Sequence, residues 1–125
     1  MKYIVSAKKL KDYLNLKIED NDLFPEDAPV GTSFYDLVPE KGKPMIVTID
    51  HIKVLLNSFL AGEINDVRLK EVVETIIALD LFEIDESSDE MHDLISNAIF
   101  TIDEIKDVNG EITPNDVKVI VDKLK

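Results

Sequence analysis

Residues 88–105, SDEMHDLISNAIFTIDEI, carry the longest amphipathic pattern in this 125-residue sequence. Apolar residues recur at spacings of three and four, which is the period of an α-helix with one buried face. The stripe consists of Met91, Leu94, Ile95, Ala98, Ile99 and Ile102. Ser87, followed three residues later by Glu90, has the spacing of a capping box. The segment therefore predicts a helix over 88–105 that is buried along one side.

Three further segments of the second half have the same period, and they predict helices over 50–61, 66–79 and 114–124. Short connections between amphipathic helices of similar length favour antiparallel neighbours. We therefore predict an all-α fold in which residues 48–125 form an antiparallel four-helix bundle. The side chains that we expect to be buried are Leu55, Phe59, Val73, Ile77, Leu94, Ile95, Ile99 and Ile120.

The first 47 residues contain fewer periodic apolar positions, and Pro25, Pro29 and Gly31 interrupt them. They are interpreted as a partly irregular N-terminal extension, 1–47, that contains one short helix capped by Ser6 and that packs on the bundle. Met45-Ile46-Val47 is interpreted as a short strand or as an extended lead-in to the first bundle helix. The segment Tyr3-Ile4-Val5 is the candidate partner of that strand.

The composition restricts the class of protein. Apolar residues make up 45% of the chain, enough for one ordinary core, and there is no cysteine. A disulfide scaffold, a Cys-ligated metal and a cysteine nucleophile are therefore excluded. No apolar segment approaches the roughly 18 residues of a membrane span, and the first residues lack the apolar region of a signal peptide. We expect a cytoplasmic protein that does not bind membranes.

The negative charge is concentrated in the second half of the chain. The net charge is −12, and residues 1–47 contribute only −1 because seven lysines oppose eight acids. Residues 80–107 hold ten acids and one base, Lys106. Such a cluster is commonly a solvated loop and helix face, but concentrated like charge also weakens the compact state, which favours a role in binding. We expect a basic partner and no direct contact with nucleic acid.

The predicted partner-binding surface lies at the connection between the second and third predicted helices. Its residues are Asp80, Glu83, Asp85, Glu86, Asp89, Glu90 and Asp93. Connecting segments on a rigid scaffold are frequent binding sites. Glu90 and Asp89 have an alternative interpretation as the capping-box residue and as a complement of the helix dipole. The second choice of surface is Asp103, Glu104 and Asp107.

No motif indicates catalysis, a metal or a cofactor. The sequence has no Gly-x-Ser-x-Gly, no phosphate loop and no dinucleotide fingerprint, and His51 and His92 lie in separate predicted helices. The stretch Asp107 to Asp116 resembles half of an EF-hand loop, but Ile105 occupies the first ligand position and offers no side-chain oxygen. We expect no catalytic residue, no metal site and no cofactor.

The stretch VLLNSFLAGEI over 54–64 resembles the first helix and turn of colicin-D-type immunity proteins and of related immunity proteins from contact-dependent growth inhibition systems. In that pattern a second amphipathic helix, an acidic linker, a third helix and a last helix with a Thr-Pro-type cap follow. Residues 48–124 have this order. The resemblance implies a four-helix bundle that binds a cognate toxin. In the colicin D case the toxin is a basic tRNA-cleaving nuclease whose active site is covered by acidic side chains.

The resemblance and the charge together predict a monomeric immunity protein that neutralises a basic nuclease toxin, an RNase or tRNase. Two alternatives remain open from the sequence. One is a different acidic mimic of nucleic acid, such as a phage-encoded inhibitor of a host nuclease or DNA-binding complex. The other is a helical adaptor whose acidity serves solubility.

Overall fold

The computed structural model describes residues 2–124, so the predicted outer bounds at residues 1 and 125 lie outside the described chain. The described part contains five α-helices, four three-residue strands and three one-turn 3-10 helices. The α-helices are α1 (Ala7–Leu14), α2 (Ile49–Leu60), α3 (Asp66–Ala78), α4 (Asp89–Asn109) and α5 (Pro114–Lys123). The strands are β1 (Tyr3–Val5), β2 (Leu37–Pro39), β3 (Met45–Val47) and β4 (Phe82–Ile84). The 3-10 helices are Asp20–Leu23, Phe34–Asp36 and Glu40–Gly42.

The helices begin at side-chain caps that accept backbone hydrogen bonds from the first turn. The predicted start of α5 at residue 114 is confirmed, because Thr113 and Asp116 form a capping box around Pro114. The predicted Ser87–Glu90 box of α4 is wrong. Ser88 is the cap, and its Oγ accepts the amide of Met91 at 3.0 Å. The helix then runs four residues past the predicted end at 105, to Asn109.

The fold is mostly helical, as expected, but it is mixed rather than all-α. Two small parallel sheets pair β1 with β2 and β3 with β4. The predicted pairing of Tyr3–Val5 with Met45–Val47 is therefore wrong, and the 80–86 connection contains a strand that the sequence analysis missed. Parallel strands need a crossover between them, and here α1 lies between β1 and β2 while α2 and α3 lie between β3 and β4.

One apolar core joins the N-terminal region to the later helices. Val5, Leu10, Tyr13, Leu23 and Val47 belong to the same buried cluster as the apolar faces of α2 to α5. Helices α2, α3, α4 and α5 pack against one another around this core. Their predicted antiparallel order stays a prediction, as does a boundary at residue 47.

The predicted core residues are buried with three exceptions. Ile77 is 37% exposed, so its predicted burial is wrong, while Phe59 and Leu94 are only half-buried. In α3 the buried face instead includes Thr75 and Ile76. Ile77 is the next residue, about 100° further around the helix, which turns its side chain away from the core.

The mostly buried side chain of Arg68 connects α3 to the N-terminal region. The guanidinium of Arg68 donates to Asp20 Oδ1 at 2.8 Å and to the Ile18 carbonyl oxygen at 2.6 Å. It also lies 5.2 Å from the ring centre of Tyr13, whose hydroxyl donates to the same Asp20 oxygen at 2.6 Å. Burial, and then the bond to Asp20, raise the pKa of the Tyr13 hydroxyl. Three chain segments therefore meet at Arg68.

Candidate functional site

The seven predicted site residues follow one another from the turn before β4, through β4 and the next turn, to the first turns of α4. We call these residues the acidic surface: Asp80, Glu83, Asp85, Glu86, Asp89, Glu90 and Asp93. Six of them are exposed, and Asp85 is half-buried. The contiguity of the chain keeps them close, and residues 80–93 contain no lysine or arginine. The structure thus displays most of these carboxylates to solvent.

Backbone pairing holds the middle of the acidic surface in place. Glu83 is the central residue of β4 and lies opposite Ile46 of β3. The amide of Asp85 donates to the Val47 carbonyl at 3.0 Å, which continues the strand pairing by one residue. Asp85 Oδ1 then accepts the amide of Ser87 at 2.9 Å and shapes the turn into α4. Asp85 therefore has a structural role in addition to its charge.

Among residues 2–124, no lysine or arginine neutralises the acidic surface. Within residues 2–124, no lysine or arginine forms a salt bridge with any member of the acidic surface. His92, next to Asp93 in the chain, places its Nδ1 3.8 Å from Asp93 Oδ1. Asp89 and Glu90 occupy the first turn of α4, where a carboxylate is favoured by the helix dipole. Six exposed carboxylates thus lie along one short stretch of the chain.

The second-choice acids have a different environment, because two of them bind Lys70 of α3. The Lys70 ammonium donates to Asp103 Oδ1 and, at 3.1 Å, to Asp107 Oδ1. Desolvation lowers the pKa of this ammonium, but its hydrogen bonds to Asp103, Asp107 and Glu74 outweigh that effect and raise its pKa. Asp103 and Asp107 join α3 to α4, which makes them poor candidates for binding a partner.

A similar pair lies one turn earlier, at the first residue of α3. Lys106 donates to Asp66 Oδ2 at 3.0 Å, and the Ile112 amide donates to the same oxygen at 3.2 Å. The bond from Lys106, followed by the bond from Ile112, holds the pKa of Asp66 below its ordinary value. Asp66, Asp103 and Asp107 therefore pair with lysines that join α3 to α4, whereas no acid of the acidic surface has a lysine or arginine partner among residues 2–124.

Both histidines lie in the first turn of a helix, His51 in α2 and His92 in α4. The Nδ1 of His51 accepts the Thr48 amide at 3.0 Å, which completes the capping box of α2, and desolvation lowers its pKa. Among residues 2–124, no group of three or more His, Asp or Glu side chains is arranged to hold a metal ion. In the half EF-hand pattern, Asp107 accepts a hydrogen bond from Lys70, and Asp116 accepts one from the Thr113 amide.

A groove between α4 and α5 was not predicted from the sequence. It encloses about 240 Å³ and is lined by Leu94, Asn97, Ala98, Thr101, Ile120, Lys123 and Leu124. Leu94 and Ala98 belong to the apolar stripe of α4, and the sequence predicts that the whole stripe is buried in the core. The half-burial of Leu94 shows that α5 does not fully cover this part of the stripe.

No helix within residues 2–124 combines the length and the apolar character that crossing a bilayer requires.

Comparison with known proteins gives one partial similarity. No family model matches the chain, and no solved structure matches it. A flavohemoprotein from Candida norvegensis is 36% identical over 63 residues. The aligned part covers 39% of this chain and 16% of that protein, so the chain spans about one sixth of the length of this relative. A match of that extent shows no family.

Proposed function

We propose that this protein is a non-enzymatic inhibitor, an immunity protein that binds and neutralises a basic nuclease toxin through the acidic surface. The observation that carries the proposal is the contrast between two sets of acids. Those around Arg68, Lys70 and Lys106 have internal cationic partners, whereas the acidic surface has no lysine or arginine partner within the described chain.

The electrostatic consequence supports a basic partner. Like charges held close together along a short stretch of chain repel each other, and a cationic groove relieves that repulsion on binding. Carboxylates accept two parallel hydrogen bonds from arginine and one from lysine, in the way that substrate phosphates do. A row of carboxylates is therefore a suitable substitute for a phosphate backbone in a nuclease groove.

The local structure supports rapid and specific binding. Glu83 lies on a paired strand and Asp89 in the first turn of a 21-residue helix, so neither depends on a loose loop for its position. Groups held in place before binding lose less conformational entropy when they are bound. Complementary charge mainly raises the association rate, toward about 10⁸–10⁹ M⁻¹s⁻¹ at low salt.

The test is a charge reversal of Glu83, Glu86 and Asp89 to lysine. All three side chains are exposed, and Asp85 is left unchanged because it shapes the turn. The partner used in the test is a nuclease domain encoded by a gene beside this one, which the immunity role requires. We expect the reversal to lower the association rate by at least about tenfold at low salt and to flatten its salt dependence. Stopped-flow fluorescence measures the rate, and toxin co-expression measures protection of cells.

The matched control reverses Glu26, Asp27 and Glu111, which are exposed acids outside the acidic surface. Both triple variants change the net charge by the same amount, so a general charge effect is equal in the two. Equal association rates for the two variants would place the interface elsewhere. Absence of a toxin gene beside this one would contradict the immunity role and favour a different acidic inhibitor or an adaptor.

A further inference from the structure

The groove between α4 and α5 is the right size for one large apolar side chain. Its floor is formed by buried Ala98, Ile120 and Leu124, and half-buried Leu94 forms part of its wall. Cavities of about 150 Å³ lined by aliphatic side chains bind a benzene ring, so about 240 Å³ accommodates an aromatic or long aliphatic group. The small side chain of Ala98 leaves this space open.

The groove adjoins the acidic surface along one face of α4. Glu90, Leu94, Asn97 and Thr101 follow at spacings of four, three and four, which places them in a line on the helix. Glu90 is thus one turn from the groove wall. On the α5 side, Lys123 contributes the basic side chain of the lining. A molecule bound to the carboxylates of α4 therefore has the groove within reach.

We propose that the groove receives an apolar anchor side chain of the basic partner, an aromatic or long aliphatic residue flanked by lysines or arginines. This inference rests on the proposed function, because the charge of the acidic surface identifies the partner as basic. Interfaces gain most of their affinity from a few side chains in desolvated pockets, while exposed charges mainly set the association rate. The carboxylates attract the partner, and the groove retains it.

The experiment uses two synthetic pentapeptides and the full-length protein with labelled methyl groups. Both peptides have two lysines on each side of the central residue, which is phenylalanine in one and serine in the other. We expect the phenylalanine peptide to shift the methyl resonances of Leu94, Ile120 and Leu124 and to bind about tenfold more tightly than the serine peptide. The serine peptide should shift only backbone amides of the acidic surface.

Two variants on α4 separate groove filling from general effects. Thr101→Phe places a ring at the groove and should remove the advantage of the phenylalanine peptide. Val108→Phe adds the same ring at an exposed position of the same helix that does not line the groove, and it should leave that advantage intact. Unchanged methyl spectra of Ile99 and Ile102 verify that both variants keep the core.

Four outcomes would overturn the inference, and they separate it from the proposed function. Amide shifts at the acidic surface without methyl shifts in the groove would refute the anchor alone. Equal binding of the phenylalanine peptide to the Glu83, Glu86 and Asp89 reversal would refute the basic partner as well. Methyl shifts with octanoate and none with peptide would assign the groove to an acyl ligand. Methyl shifts that depend on protein concentration without peptide would assign it to a second copy.

Discussion

Substituting Arg68 by methionine tests the junction between α3 and the N-terminal region. The Arg68 side chain is 12% exposed, and its guanidinium donates to Asp20 and to the Ile18 carbonyl, so the change leaves two partly buried acceptors without their donor. Glu19, at 75% exposed, adds little. Breaking a buried charged pair costs about 3–5 kcal/mol, and partial hydration of Asp20 favours the lower end. We expect a loss of about 3 kcal/mol.

The assay is thermal and urea unfolding at neutral pH. For a domain of this size a loss of about 3 kcal/mol lowers Tm by roughly 10 °C. Lys118→Met is the matched control, because it removes the same charge from an exposed position on α5. The two variants have equal net charge, so the difference between them isolates the contacts of Arg68. A Tm for Arg68→Met close to that of Lys118→Met would refute the reasoning.

Two further predictions concern the core and the pH dependence of stability. Ile99→Ala, at a fully buried position, should lower the free energy of unfolding in urea by about 2–5 kcal/mol. Leu94→Ala, at the groove, should lower it clearly less. Equal losses would mean that the groove is closed in solution. The lowered pKa of His51 gives stability that is complete above about pH 6.5 and is lost as the pH falls below that value, because the unfolded chain takes up the proton first. His51→Gln should flatten this decline; an unchanged slope in that variant would contradict the assignment.

The helices of the second half could be predicted from the sequence, because each has a long apolar stripe and a polar N-cap. Thr113, Pro114 and Asp116 locate the start of α5 correctly, since capping depends on neighbours only three residues apart. Tyr3–Val5 and Met45–Val47 were indicated as candidate strands, but β2, β4 and the true pairing were not, because three residues are too few to show a period. For β4 the partner is also 37 residues earlier in the chain, opposite Phe82 at Met45.

The acidic surface could be predicted only in part from the sequence, for a related reason. The sequence indicates where acids are dense, and the structure places all seven on one continuous stretch at the surface. Which acids have internal partners depends on contacts between distant residues. Lys70 reaches Asp103 across 33 positions, and Arg68 reaches Asp20 across 48. The groove could not be predicted, because the sequence of α4 does not show how much of its apolar stripe is covered by α5.

The pairing of β3 with β4 determines where this chain can be shortened. In sequence β3 belongs to the N-terminal region, yet it supplies the hydrogen-bonding neighbour of the strand that bears Glu83. A fragment that begins at Thr48 would lack this neighbour and would expose the edge of β4. Exposed strand edges recruit other chains into aggregates. A fragment engineered to carry the acidic surface must therefore start before Met45, although every acid of that surface lies beyond residue 79.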